Sequence, residues 1–232
     1  MGSDDLYHRR KARKAEDLAR KKASRDPYPK VLIVCEGEKT EPNYFSELKD
    51  HLELSSTNVV VTGECGSSPI SVVEYALQLY ELEQNSGDPF DKVFCVFDKD
   101  IHETYQQALD KISSANQQAL DEIASEKPED IIIATTSVPC FEYWLLLHFD
   151  YTTAPFRGTG GKNACGRLID ELKKYMPAYQ KGDESIFGQL LDKQPQAIAY
   201  AVNSLRAAER NGNDNPSTKI HKLIEYLKSI SY

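Results

Sequence analysis

The sequence predicts an α/β protein built on a mostly parallel sheet. Three observations carry this reading: continuous apolar, β-branched runs at 31–35, 92–97 and 131–136, helix-period segments between them, and a chain of 232 residues, 40% hydrophobic and 28% charged, that can bury a real core. Strands apolar at every position must be covered on both faces, which is the mark of parallel strands joined by helices. The same composition excludes wholesale disorder, collagen-like repeats and coiled-coil rods, and reads as a soluble, folded protein.

The elements follow in order. VLIVC (31–35) is the first strand, TEPNYFSELKDHL (40–52) has a helical period, and NVVVTG (58–63) is again strand-like. Ser68 followed by Pro69 is a helix start, and Val73, Ala76, Leu77 and Tyr80 recur at i, i+3, i+4 and i+7, so 69–84 is an amphipathic helix that Asn85 to Pro89 breaks. KVFCVF (92–97) is the third strand, a helix falls within 102–126, and IIIATT (131–136) is the fourth strand, before Pro139. Beyond it the pattern is helical throughout, with helices expected at 140–149, 163–176, 183–192, 195–210 and 217–229 and a Gly-rich loop at 157–161. The expected organisation is a basic arm (1–27), an α/β domain with four parallel strands (28–150), and an α-helical C-terminal extension packed on it (151–232). There is no internal repeat.

Charge is unevenly spread. Residues 1–30 hold ten Lys/Arg and five Asp/Glu, leaving 18 of the 28 basic and 31 of the 36 acidic residues for the rest. The head is thus an arm that meets polyanions or a solvated helix, and the body repels polyanions except where a metal or basic patch intervenes. The five cysteines form no CxxC pair and their number is odd, so reduced thiols and a cytoplasmic setting are expected. MGSDDLYHRRKARK lacks the apolar core of a signal peptide, and the longest apolar stretch, IIIATTSVPCFEYWLLLHF, carries Pro139, Glu142 and His148 and reads as a strand plus a buried helix, not a membrane span.

In an open parallel sheet ligands bind beyond the carboxyl ends of the strands. Glu36 directly follows the first strand, and Asp98 and Asp100 follow the third; if 97–100 stays extended, both aspartates point to one side and Lys99 to the other. Two strands then deliver three carboxylates to one rim, a hard oxygen donor set suited to Mg²⁺ or Mn²⁺. Gly37 permits a tight turn there, and Glu36, Glu38 and Glu41 crowd together with Lys39. Glu142, the one charge in CFEYWLLLHF, either joins the site or caps its own helix. GEKT and RGTGGKN imitate parts of a phosphate loop, but Phe156 and Asn163 stand where GxxxxGK[ST] needs Gly and Ser/Thr. Lys162 and the 157–161 loop are either a backbone phosphate contact or a mobile loop. The histidines show no zinc-ligand spacing.

VLIVCEGEKTEPNYF, VFCVFDKD, PCFEYWLLLHF and NPSTKIHKLIEYL, in that order, resemble the RloB family, whose members carry a Toprim domain; the likeness covers roughly residues 28–232. It implies a Toprim-like four-stranded parallel sheet between helices with a Mg²⁺-binding acidic rim. Matched by motif, Glu36 is the Toprim glutamate and Asp98 and Asp100 the DxD pair. The activity implied is metal-dependent cleavage of DNA or RNA, possibly tRNA, by the effector of a bacterial anti-phage system with an ABC- or AAA-type ATPase partner. Homo-oligomerisation is a further possibility. In that chemistry Asp98 and Asp100 bind metal, Glu36 is a third ligand or the general base, and Lys39 contacts phosphate unless it is only a surface lysine of the first helical turn. The competing reading is a non-catalytic subunit that senses a nucleotide or nucleic acid.

Overall fold

The computed structural model describes residues 29–56, 58–99, 103–122 and 130–231. The basic arm and Asp100 lie outside them. Five strands form one sheet in the order β2-β1-β3-β4-β5. β1 (Val31–Cys35) sits between β2 (Val59–Thr62) and β3 (Lys92–Asp98), and β4 (Ile132–Val138) lies beyond β3, all four parallel. The register pairs Cys35 with Val96 and Asp98 with Ser137, so β1 and β3 finish side by side.

Alternation along these strands feeds two cores. Leu32, Val34, Val93, Cys95 and Phe97 face α2 (Pro69–Ser86) and α3 (Tyr105–Glu122). Val31, Ile33, Cys35, Phe94 and Val96 face the opposite layer: α1 (Thr40–His51), α4 (Glu142–Leu146), α5 (Ala164–Tyr175), α6 (Ile186–Leu190), α7 (Gln194–Asn211) and α8 (Ile220–Ile230). The second cluster joins residues from both sides of position 150, with Trp144, Leu168 and Leu223 fully buried in it. Each strand is apolar at consecutive positions because each face has its own helical cover. The arrangement is α/β and consistent with a Toprim-like sheet.

Local signals explain the boundaries. Ser68 and Ser71 form a capping box at the start of α2, Pro69 occupies its first turn, and Gly87 ends it at φ 87°. Asn163 caps α5 by accepting the amide of Gly166 at 2.8 Å.

Two expectations need correction. The region beyond residue 139 is not wholly helical: Ser217–Thr218 forms β5, antiparallel to β4, with Ser137 Oγ 2.9 Å from Thr218 Oγ1. Two polar residues carry no hydrophobic period that would set them apart from the last helix, which begins at Ile220. The helices expected at 140–149 and 183–192 shorten to Glu142–Leu146 and Ile186–Leu190, the latter followed by a 3₁₀ turn at Leu191–Lys193. Among the described residues no helix is long and apolar enough to cross a membrane. The stretch read as strand plus buried helix is β4 and α4, with Tyr143 to Leu147 fully buried.

Candidate metal-binding acidic rim

Where β1 and β3 end, four carboxylates share one neighbourhood. Glu36 is the first residue past β1, and its amide still donates to Val96 O at 2.9 Å, so strand pairing fixes its backbone. Its Oε2 accepts the backbone N–H of Asp98, the last residue of β3, at 3.0 Å. Parallel pairing of β1 with β3 therefore unites two acids 62 positions apart. Glu41 comes from the buried side of the first turn of α1. A Cβ on Gly37 would meet the end of the Glu41 side chain, so the bare glycine leaves room for that carboxylate in its present place. Glu142 opens α4 and is 1% exposed.

Burial, reinforced by crowding, raises the proton affinity of two of these acids, Asp98 and Glu41. Burial pushes the half-buried Asp98 carboxyl well above the ordinary aspartate value; Glu41, Glu142 and Glu36 add to the rise, against a backbone hydrogen bond from Phe141. Burial likewise lifts Glu41 to about 7, with Glu142 and Glu36 contributing and Lys181 opposing.

Lys181 is the cation that meets them. Its Nζ lies 3.2 Å from Glu142 Oε1, the atom that also accepts the Tyr179 hydroxyl at 3.0 Å. Burial would lower the Lys181 ammonium, yet Glu142, Asp98 and Glu41 outweigh it and hold it above its ordinary value. The loop bearing Tyr179 and Lys181 is pinned to the first turn of α1: Gly182 N donates to Thr40 Oγ1 at 2.9 Å, and Asn43 Nδ2 donates to Gly182 O at 3.2 Å.

Of the residues singled out in the sequence, Glu36 and Asp98 come together as expected, and Glu142 joins them electrostatically, turned to Tyr179 and Lys181. Asp100 lies outside the described residues. Lys39 is exposed at the cap of α1, with its stem along Gly182, and the ion pair at the rim belongs to Lys181 instead. Lys99 points away from the rim, to Asp214 at 2.6 Å. Lys162 is paired with Asp170 at 2.7 Å, and Thr159 and Lys162 exchange backbone hydrogen bonds at 3.0 and 3.2 Å, which closes the glycine turn on itself.

The cysteine expectation is also corrected. Cys140 and Cys165, 25 positions apart, are joined in a disulfide, whereas Cys35, Cys65 and Cys95 are free and buried. Their spacing gave no signal because the fold, not the local chain, brings the end of β4 to the start of α5.

The chemistry of the rim fits a hard divalent ion. Glu36, Glu41, Asp98 and Glu142 offer only oxygen, and their mutual repulsion falls when a dication is shared. Mg²⁺ and Mn²⁺ bind through one or two carboxylates plus water and substrate phosphate, and Glu36 and Asp98 are the residues that would hold one here. Among the described residues, the one trio whose donor atoms lie within 4.8 Å of one another is Cys140, Glu142 and Cys165.

The profile of one protein family, described as RloB-like protein, matches residues 31–227. Among curated proteins and among solved structures, none matches.

Proposed function

The chain belongs to the RloB-like protein family, and we propose that it is a metal-dependent nuclease of the Toprim type, hydrolysing phosphodiesters of DNA or RNA. The observation that carries the reading is the junction of Glu36 with Asp98 at the ends of adjacent parallel strands, inside a carboxylate cluster in which burial raises the proton affinities of Asp98 and Glu41. A Mg²⁺ or Mn²⁺ ion held there would offset phosphate charge and lower the pKa of attacking water enough for a nearby carboxylate to take its proton.

This chain's own residues supply the rest. Glu36 and Asp98 hold the ion, with Asp100 a further ligand. Glu41, with a proton affinity near neutrality, suits the removal of a proton from attacking water, a role open to Glu36 as well. Lys181, tethered by Glu142, is the cation positioned to meet a non-bridging phosphate oxygen. Tyr179 donates to Glu142 and so fixes the carboxylate that steers Lys181. The net charge of −8 means that polyanion binding draws on the arm or on a partner. The family resemblance alone supports the wider setting: a cytoplasmic effector of anti-phage defence working with an ABC- or AAA-type ATPase.

The experiment is cleavage of labelled DNA and RNA by the purified protein, with and without that ATPase, in Mg²⁺ or Mn²⁺. Asp98→Ala abolishes cleavage if the site is right; equal cleavage by the variant refutes it. A second reading, a binding subunit without turnover, draws on the absence of three rim carboxylates within 4.8 Å among the described residues. Its signature is tight binding of a nucleotide or nucleic acid with no product.

A further inference from the structure

The disulfide beside the rim has no part in phosphodiester chemistry, yet it touches the residue that holds Lys181. Cys140 lies in the turn between β4 and α4, two residues before Glu142, and Cys165 is the second residue of α5. Their Cα atoms are 5.7 Å apart, a separation a disulfide spans without backbone movement. Cys165 Sγ lies 3.6 Å from Glu142 Oε2, while Glu142 Oε1 takes the Tyr179 hydroxyl and the Lys181 ammonium. A bonded sulfur has no hydrogen to give, so in this state the 3.6 Å approach is packing; a free Cys165 thiol in the same place is a donor to that oxygen. The two states thus hold Glu142 differently: one ties its turn covalently to α5, and the other separates the sulfurs to contact distance and adds an S–H donor.

We infer that Cys140 and Cys165 are a reversible redox switch that sets how Glu142 is held against Lys181 and Tyr179. Its effect on the rim rests on the metal-site reading above; the bond itself does not. The oxidant is a small-molecule disulfide of the glutathione class. The Cys165 thiol loses its proton, and the thiolate attacks one of the oxidant's sulfurs and releases one small thiolate, which takes up a proton. Cys140 then attacks the Cys165 sulfur of the mixed disulfide and releases the second small thiol. The protein pair loses two electrons, which the external disulfide gains, and two thiol protons pass to the two small thiols. Excess small thiol reverses both steps. Access runs through the start of α5, where Cys165 is 8% exposed against 2% for Cys140. That turn follows Gly160 and Gly161, both at positive φ, and rests on the Asn163 cap, so local opening there frees Cys165 without unfolding the sheet.

The test uses the full chain, equilibrated in mixtures of reduced and oxidised glutathione. Differential alkylation read by mass should show Cys140 and Cys165 interconverting reversibly as a pair, with the fully buried Cys35 and Cys95 unchanged. Hydrogen exchange over 141–146 and 164–168 should be at least tenfold slower in the oxidised protein, and Mn²⁺ affinity should change at least threefold on reduction. Cys165→Ser should show the reduced values in both buffers.

A pair that stays reduced under excess oxidised glutathione, equal exchange in the two states, or stoichiometric Zn²⁺ uptake by the reduced trio overturns the inference. Mn²⁺ affinity that ignores redox state while Mn²⁺ binds overturns the coupling to the rim. No Mn²⁺ binding in either state, with exchange still redox-dependent, leaves the switch standing and removes the metal reading.

Discussion

Glu41→Gln isolates the electrostatic cost of the acidic rim. Burial, with Glu142 and Glu36 adding to it, raises Glu41 from the ordinary 4.5 to about 7. At about 1.4 kcal/mol for each tenfold change in proton affinity, ionising it in the fold costs about 3 kcal/mol more than in the unfolded chain. The sign follows from which state holds the proton. Below about pH 4.5 both states are protonated and this contribution is fully present. Between about 4.5 and 7 the unfolded chain ionises first, and stability is lost as pH rises; above about 7 the loss is complete. Glutamine keeps the shape and cannot ionise. In urea unfolding with a chelator present, the variant should match wild type near pH 4 and exceed it by about 3 kcal/mol at pH 8. For a chain of this size that is about 6–12 °C in Tm. Mn²⁺ at pH 8 should narrow the gap, because a shared cation offsets the repulsion in wild type. A variant no more stable than wild type at pH 8 would refute the reasoning.

Three further outcomes are expected. On the proposed mechanism, Lys181→Met should lower the rate of metal-dependent cleavage by about a hundredfold while the sheet stays folded by circular dichroism, since it removes the cation paired with Glu142 that would meet developing charge; Lys39→Met should have far less effect. Trp144→Ala, which empties a fully buried site between α1 and the C-terminal helices, should cost about 3–5 kcal/mol in denaturant unfolding. Deleting residues 1–25 should weaken nucleic-acid binding and flatten its dependence on salt if the arm contacts phosphates; unchanged titration curves at 50 and 200 mM salt would remove that role.

What was readable in the sequence is what depends on neighbours along the chain. The continuous apolar strands announced a sheet covered on both faces, and residues directly after β1 and β3 could be assigned to one rim because strand ends are local and the topology of such sheets is restricted. Ser68 and Pro69 marked a helix start by their own chemistry. Lys181 and Tyr179 were not readable: they lie in an irregular loop 140 positions from Glu41, and only its docking on Thr40 and Asn43 brings them to the rim. Lys39, near Glu36 in sequence, stands at the exposed cap of α1, while Glu41 two residues later is on the buried side. The Cys140–Cys165 bond and the two-residue β5 share the same cause, since each is a long-range pairing with no periodic or spacing signature.

A crystal grown with Mn²⁺ and measured at the manganese absorption edge addresses the metal site without passing through activity. An anomalous peak within about 2.3 Å of both the Glu36 and Asp98 carboxylates, lost in Asp98→Ala, is the expected result. Full Mn²⁺ in the solvent with no peak between those side chains, or a peak confined to Cys140, Glu142 and Cys165, would contradict it.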